Sequence, residues 1–99
     1  NLYPKEIEEF FYTHPDVSDV QVIGVPDKAM GEEAMACIIL KEGSCATQDD
    51  MRKFASSRLA RHKIPKYIRF VETFPMNAAG KVLKYKMRQE AVDWINNNK

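Results

Sequence analysis

The chain has 99 residues, of which 44% are hydrophobic and 29% are charged, so it can bury one small core. This composition excludes a disordered or multidomain chain, and no apolar run approaches the ~20 residues that span a bilayer. The 2 cysteines lack CxxC spacing, which argues against a disulfide framework and a structural zinc site. We therefore expect one domain from a reducing compartment, with no transmembrane segment and no metal site of its own.

The formal net charge of +1 conceals two oppositely charged halves. Residues 1–51 contain 3 basic and 11 acidic residues, whereas residues 52–88 contain 11 basic residues and 1 acidic residue. Two interpretations follow from this division. The basic half faces the phosphates of a ligand, or its cations pair with the acidic half inside the fold.

Apolar periodicity predicts a helix followed by two strands in the first half. The helix covers residues 4–13, because proline is favoured in a first helical turn and Pro15 ends the pattern. Two β-prone runs follow at residues 20–24 and 34–41, with a turn-rich segment between them. These runs predict two strands joined by a loop.

The second half is predicted to contain two helices and a strand. Thr47 and Asp50 form a capping-box pattern that opens a helix ending near Arg61. The remaining segments are an extended link at residues 64–65, a strand at 67–72, a turn at 75–80 and a helix around 84–96. The whole order predicts an α+β fold, with a small mixed sheet of about three main strands and a further hairpin, packed by three helices.

The sharpest local feature is the turn in which Lys81 directly follows Gly80. A P-loop would need glycine at the position of Pro75 and serine or threonine at the position of Val82, so this turn is not a P-loop. What remains is a lysine on a short loop that can carry a cation to a carboxylate or phosphate. The alternative is an ordinary exposed turn.

The other reactive side chains lack the neighbours that catalysis needs. His14 lies on the apolar stripe of the first helix and fits a packing role better than a ligand or base. His62 lies among basic residues, without a nearby carboxylate to orient it. Cys37 lies inside an apolar strand and Cys45 in a loop, and neither has a recognisable base. These residues indicate no catalytic dyad.

Five motifs occur in the order and spacing of one known family. They are residues 1–8, His14-Pro15 with Val17, residues 24–27 with Gly31-Glu32, residues 63–66 and residues 75–81. With these motifs in register, the chain closely resembles the C-terminal domain of adenylate-forming acyl-CoA synthetases over essentially its whole length. The segments at residues 3–8 and 63–67 are most similar to medium- or long-chain fatty acyl-CoA ligases.

The resemblance implies that the chain works within a longer enzyme. In that family a large N-terminal domain binds ATP, with magnesium, and the carboxylic acid. The small C-terminal domain closes over it in two orientations, one for adenylation and one for thioester formation. Residues 1–99 would then be this mobile lid domain, cut from a longer protein and folded but inactive alone. The whole would be an acid-thiol ligase that makes acyl-AMP and transfers the acyl group to CoA, in the cytoplasm or the mitochondrial matrix.

The resemblance also assigns roles to particular residues. Lys81 matches the lysine that reaches into the adenylation site, where its charge bridges the acyl carboxylate and the α-phosphate. The segment matching Ile64, Pro65 and Lys66 lines the nucleotide end of CoA in that family. Neighbouring cations that would suit the CoA phosphates are Lys63, Arg58 and Arg61.

Two positions depart from the family pattern. Asn77 stands where threonine is usual, but asparagine can make the same kind of local turn hydrogen bond. Met30 stands where some relatives carry arginine, so a phosphate contact at that position is lost in this sequence.

A small nucleic-acid-binding α+β module is the alternative from another class. The basic residues of the second half are interleaved with Tyr67, Phe70 and Tyr85. However, the sequence has no GXXG clamp and no aromatic-rich RNP pattern that stacks bases. We therefore expect the partners to be the N-terminal adenylation domain, a carboxylic acid, ATP and CoA, and not nucleic acid.

Overall fold

A three-stranded mixed sheet organises the fold. In the computed structural model, which describes residues 2–97, β1 (Val17–Asp27) pairs antiparallel with β2 (Gly31–Leu40). The central strand β2 pairs parallel with β3 (Tyr67–Phe70) on its other side. The helices are α1 (Pro4–Phe11), α2 (Gln48–Arg58) and α3 (Lys84–Asn97), with a short 3-10 helix at Arg61–Lys63. The predicted α+β fold is confirmed.

The helices cover the two faces of the sheet unequally. Helices α1 and α2 pack on one face, and α3 packs on the other. Successive side chains of a strand point to opposite faces, so Val22 lies in the core under α1 and α2 while Ile23 lies in the core under α3. The stretch at residues 34–38 of β2 is buried throughout, because both of its faces are covered.

Helix α1 ends at Phe11, two residues before the predicted end. The N–H groups of Thr13 and His14 bond to the carbonyl groups three residues back, at 3.0 Å each, which tightens the chain into a turn. The Thr13 hydroxyl also donates to the Phe10 carbonyl at 2.6 Å. Pro15 disfavours helical backbone at the residue before it, so the helix ends before the apolar pattern does.

Helix α2 begins with the predicted capping box and ends earlier than predicted. The Thr47 hydroxyl accepts from the Asp50 N–H at 3.1 Å, and the Thr47 N–H donates to Asp50 Oδ2 at 2.8 Å. The predicted end near Arg61 was wrong, because the backbone is already extended at Leu59. The chain turns there so that Leu59 and Ile64 both pack against the core.

The strands differ in length from their predictions. β1 and β2 form a long hairpin whose pairing continues to Asp27 and Gly31, because the backbone ladder extends beyond the apolar run. β3 ends at Phe70 instead of at residue 72, although the Val71 N–H still donates to the Ile38 carbonyl at 2.9 Å. The further hairpin is reduced to one antiparallel bridge in the turn before α3. No helix within residues 2–97 is long and apolar enough to cross a membrane.

Candidate functional site

Lys81 lies on a tight turn whose backbone is closed by hydrogen bonds. The Asn77 N–H donates to the Lys81 carbonyl, and the Gly80 N–H donates to the Asn77 carbonyl, both at 3.0 Å. The antiparallel bridge between Met76 and Val82 closes the base of the turn. Gly80 has a φ of +83°, a left-handed conformation that glycine adopts without a Cβ penalty. The turn therefore has a defined backbone.

The Asn77 side chain reinforces this turn. Its Oδ1 accepts from the Ala79 N–H at 3.0 Å and from the Lys81 N–H at 2.9 Å. This is the local turn hydrogen bonding that the sequence predicted for asparagine at this position. The peptide on either side of Lys81 is thus fixed from within the loop.

The side chain of Lys81, by contrast, has no ion-pair partner among residues 2–97. The residue is exposed. A lysine with three donors and no internal carboxylate is available to an anionic ligand. The loop therefore presents an exposed cation on a backbone that is fixed by hydrogen bonds.

Lys63, one of the residues predicted for CoA, is held within the fold. Its Nζ lies 2.9 and 3.0 Å from the two carboxylate oxygens of Glu6 in α1. The same Nζ lies 4.7 Å from the centroid of the Tyr3 ring. Its charge is therefore shared with a carboxylate and an aromatic face before any ligand arrives.

Lys66 is also paired, to the turn between β1 and β2. Its Nζ lies 2.5 Å from Asp27 Oδ1, while Asp27 Oδ2 accepts from the N–H groups of Ala29 and Met30 at 3.2 and 3.0 Å. The hydrogen bond from Lys66, followed by that from Met30, holds the pKa of the Asp27 carboxyl below its ordinary value. The Asp27 carboxylate in turn raises the pKa of Lys66.

The other residues predicted for CoA divide into buried and exposed groups. Pro65 is fully buried and Ile64 packs against the core, so both side chains shape the linker from within. Arg58 at the end of α2 and Arg61 are exposed, and neither forms an ion pair in the described part of the chain. Arg58 and Arg61 are the cations of this region that are available to phosphate.

A groove of about 550 Å³ lies beside Lys66. Its walls are the turn between β1 and β2, Tyr67 of β3, and the last part of α3, where Val92 and Ile95 contribute apolar surface. Lys81 does not line this groove. The Lys81 turn and the linker at residues 61–66 are therefore separate features.

Pairing with the acidic half accounts for part of the basic half, whereas Arg58, Arg61 and Lys81 form no ion pair among residues 2–97. Among residues 2–97, the ion pairs that join the basic half to the acidic half are Arg52–Asp49, Lys63–Glu6, Lys66–Asp27 and Lys84–Glu8. The glutamates at Glu32 and Glu33, which follow a glycine in the sequence, take no part in these pairs. The sequence did not reveal the pairs, because each long-range partner is chosen by the packing of α1 and of the hairpin.

The remaining reactive residues have structural roles. The His14 ring packs edge-on against Phe54 at 4.7 Å, and its Nδ1 accepts from the Asp16 N–H at 3.0 Å. Cys37 is buried, and burial raises the pKa of its thiol to about 11, so the thiol stays protonated at neutral pH. The predicted packing role of His14 and the predicted burial of Cys37 are confirmed.

Comparison with known proteins identifies the class. Residues 6–81 match the family described as the AMP-binding enzyme C-terminal domain. The chain is 50% identical over 97% of its length to YngI of Bacillus subtilis (strain 168), a protein assigned as an acyl-CoA synthetase, and covers 18% of it. It is 46% identical over 97% of its length to the mitochondrial medium-chain acyl-CoA ligase ACSF2 of Bos taurus, and covers 16% of it.

A solved structure agrees with these relatives. ATP-bound MatB from Rhodopseudomonas palustris superimposes with a TM-score of 0.87 and 34% identity, over 91% of this chain and 18% of that one. The chain belongs to the AMP-binding enzyme C-terminal domain family. It spans less than a fifth of the length of these relatives. The matches lend no support to the nucleic-acid-binding alternative.

Proposed function

We propose that this chain is the mobile C-terminal lid domain of an AMP-forming acyl-CoA synthetase acting on a fatty acid. The observation that carries the proposal is the ammonium group of Lys81, which has no ion-pair partner among residues 2–97, on a turn whose backbone is fixed by hydrogen bonds. The names of the relatives support the class of reaction, and that of the Bos taurus relative specifies a medium-chain acid.

Lys81 acts in the first half-reaction. An acid carboxylate oxygen attacks the α-phosphorus of ATP, the bond to the bridging oxygen breaks, and pyrophosphate leaves with the electron pair. Negative charge is concentrated between the carboxylate and the α-phosphate during this step. A cation brought there by the lid stabilises the transition state more than the separated substrates, which is what accelerates the step.

The linker residues act in the second half-reaction, in which the CoA sulfur attacks the acyl carbonyl and AMP leaves. We assign the phosphates of CoA to Arg58, with Lys63 and Lys66 beside it, on the linker shaped by Ile64 and Pro65. The ion pairs of the two lysines make Arg58 the strongest of these contacts, because a phosphate must compete with Glu6 and Asp27 for them.

The remaining parts of the proposal concern the rest of the enzyme. A large N-terminal adenylation domain would bind the acid, ATP and its magnesium ion, and the lid would dock on it in two orientations. An ATP-bound relative supports ATP as the nucleotide. The location is proposed to be the cytoplasm or the mitochondrial matrix, the latter by analogy with the mitochondrial relative.

The test uses the full-length enzyme with Lys81→Ala and measures the two half-reactions separately. Acyl-AMP formation, followed by pyrophosphate release, should slow by ~10² to 10³, the scale of one lost transition-state contact. Thioester formation from supplied acyl-AMP and CoA should stay near normal. The matched control is Lys86→Ala, which removes an exposed lysine of α3 close by in the sequence and should affect neither step.

Two results would contradict the proposed role of Lys81. One is equal impairment of both half-reactions. The other is a loss of activity that parallels a loss of folded protein, since an exposed turn substitution should change stability by no more than ~0.5 kcal/mol.

A further inference from the structure

A shared hydrogen-bonding node ties two helices to the edge of the sheet. The edge strand β1 presents the backbone groups of Val22, and side chains satisfy both of them. Glu8 Oε2 of α1 accepts from the Val22 N–H at 2.8 Å, and Lys84 Nζ of α3 donates to the Val22 carbonyl at 3.0 Å. Lys84 Nζ also lies 2.9 Å from Glu8 Oε2, so the three residues close a triangle that we call the Glu8–Lys84 clamp.

The clamp joins elements that otherwise lie on opposite faces of the sheet. Helix α1 packs on one face and α3 on the other, so the clamp joins their side chains around the edge formed by β1. The clamp is also partly shielded from water, with side-chain exposures of 34% for Lys84 and 18% for Glu8. Shielded, charge-assisted hydrogen bonds are stronger than those of an exposed pair.

The position of Lys84 connects the clamp to the Lys81 turn. Lys84 is the first residue of α3 and follows Lys81 by three positions. Between them, Val82 is fixed by its bridge to Met76, and the Leu83 N–H donates to the Pro75 carbonyl at 2.9 Å. The Lys81 turn therefore stands on a base that the clamp holds to β1.

We propose that the Glu8–Lys84 clamp positions Lys81 for adenylation by fixing the first turn of α3 against the sheet. This inference rests on the proposed role of Lys81. Lys84 is a positioning residue and not a catalytic one, because its ammonium group is already engaged by Glu8 and by the Val22 carbonyl. Without the clamp, the Lys81 turn keeps its backbone conformation, but the start of α3 is no longer held in one position relative to the sheet.

The test is Lys84→Met in the full-length enzyme, with both half-reactions measured. The kcat of acyl-AMP formation should fall roughly tenfold with little change in the KM for ATP or acid, because misplacing a reacting group lowers the rate from the bound state. Thioester formation from supplied acyl-AMP and CoA should be unchanged. Lys84→Arg, which keeps a charged donor, should restore most of the adenylation rate.

A matched control separates positioning from a general loosening of α3. Arg69→Met removes a second ion pair to this helix, between Arg69 and Glu90 at 4.0 Å, six positions beyond Lys84. It should leave both half-reactions unchanged. A further variant, Lys81→Ala with Lys84→Met, should be no slower in adenylation than Lys81→Ala alone, because the clamp acts through Lys81.

An unchanged adenylation rate in Lys84→Met, or equal slowing of both half-reactions, would overturn the proposal. If Lys84→Met does not fold, Glu8→Gln decides the question, because it keeps an acceptor for Val22 and removes the charge. An adenylation-specific loss in that variant supports the clamp, and a normal rate overturns it. A normal adenylation rate in Lys81→Ala, whose clamp is intact, would instead remove the proposed function itself.

Discussion

The Lys81 turn and the linker at residues 61–66 are both basic, yet the fold treats their cations differently. In the linker, Lys63 pairs with Glu6, 57 positions away in the chain, and Lys66 pairs with Asp27, 39 positions away. In the turn, hydrogen bonds fix the backbone around Lys81 while its ammonium group has no carboxylate partner among the described residues. The two linker lysines are thus paired within the fold, whereas the charge of Lys81 is the one that we expect to meet a ligand.

This difference shows why charge density alone is a poor guide to a binding site. Exposed ion pairs stabilise a fold only modestly, but they lower the attraction of their lysines for an external anion. A lysine without such a partner keeps its full charge at the surface. Apart from a matched control, each variant below changes either the Lys81 turn or the linker at residues 61–66 and its ion-pair partners.

Among the variants that test this contrast, the largest expected effect comes from giving the Lys81 turn a carboxylate of its own. Asn77→Asp keeps an oxygen that can accept from the N–H groups of Ala79 and Lys81, so the turn should persist. The added negative charge should weaken the pull of Lys81 on substrate by ~1 to 2 kcal/mol, which slows acyl-AMP formation roughly tenfold. Pyrophosphate release by the full-length enzyme measures this rate. A rate equal to that of the parent enzyme would mean that the charge at Lys81 is not what matters.

A somewhat smaller effect is expected from straining the turn without changing its charge. Gly80→Ala forces a left-handed backbone on alanine at a cost of ~1 kcal/mol, and its Cβ would meet nothing within 4 Å, so the cost is conformational alone. Gly43→Ala is the matched control, with the same φ of +83° and the same open space. Denaturant unfolding should show similar losses for both. Only Gly80→Ala should slow adenylation, and a similar slowing by Gly43→Ala would contradict this account.

The linker can be altered in both directions. Replacing Lys63 and Lys66 by alanine should raise the KM for CoA by about two- to fivefold, since each lysine is paired and contributes little. Glu6→Gln with Asp27→Asn should do the opposite and lower that KM, because both lysines lose their internal competitors. Steady-state kinetics with CoA as the varied substrate compares the two variants, with the KM for ATP as the internal control. If both leave the KM for CoA unchanged, the linker is not part of the CoA site.

The sequence predicted the fold where local signals decide it. The capping box of α2 is visible in Thr47 and Asp50, and apolar periodicity located all three helices. The ends of the helices were less predictable. After α1 ends at Phe11, the chain continues as a turn, and the sequence pattern does not distinguish this turn from another turn of helix. The long hairpin extends to Asp27 and Gly31, where backbone pairing and not burial maintains the strands.

The candidate site was predictable in part for a related reason. The Lys81 turn is encoded within a few residues by Asn77, Gly80 and Lys81, so its sequence carries its own geometry. The clamp between Glu8 and Lys84 was missed, because its partners lie 76 positions apart and meet at a backbone edge. The division of the chain into an acidic and a basic half can indicate that ion pairs form between the halves. Which residues pair is decided by the packing of the fold.

The smallest effect concerns the pH dependence of the Asp27–Lys66 pair. The pKa of Asp27 is lower in the folded chain than its ordinary value of 3.8, first because of the hydrogen bond from Lys66. The folded state therefore binds its proton less readily, so the pair stabilises the fold above pH 3.8, and this contribution disappears as the pH falls through the lowered pKa. At the other end, the pKa of Lys66 is raised above 10.5, so the contribution is complete below that pH and is lost as the pH rises through the raised value. Asp27→Asn should thus shift the denaturant midpoint of the 99-residue chain slightly downward at neutral pH, and the two midpoints should converge in acid. A constant difference between the two proteins across the acid range would show that Asp27 contributes through its turn hydrogen bonds and not through its charge.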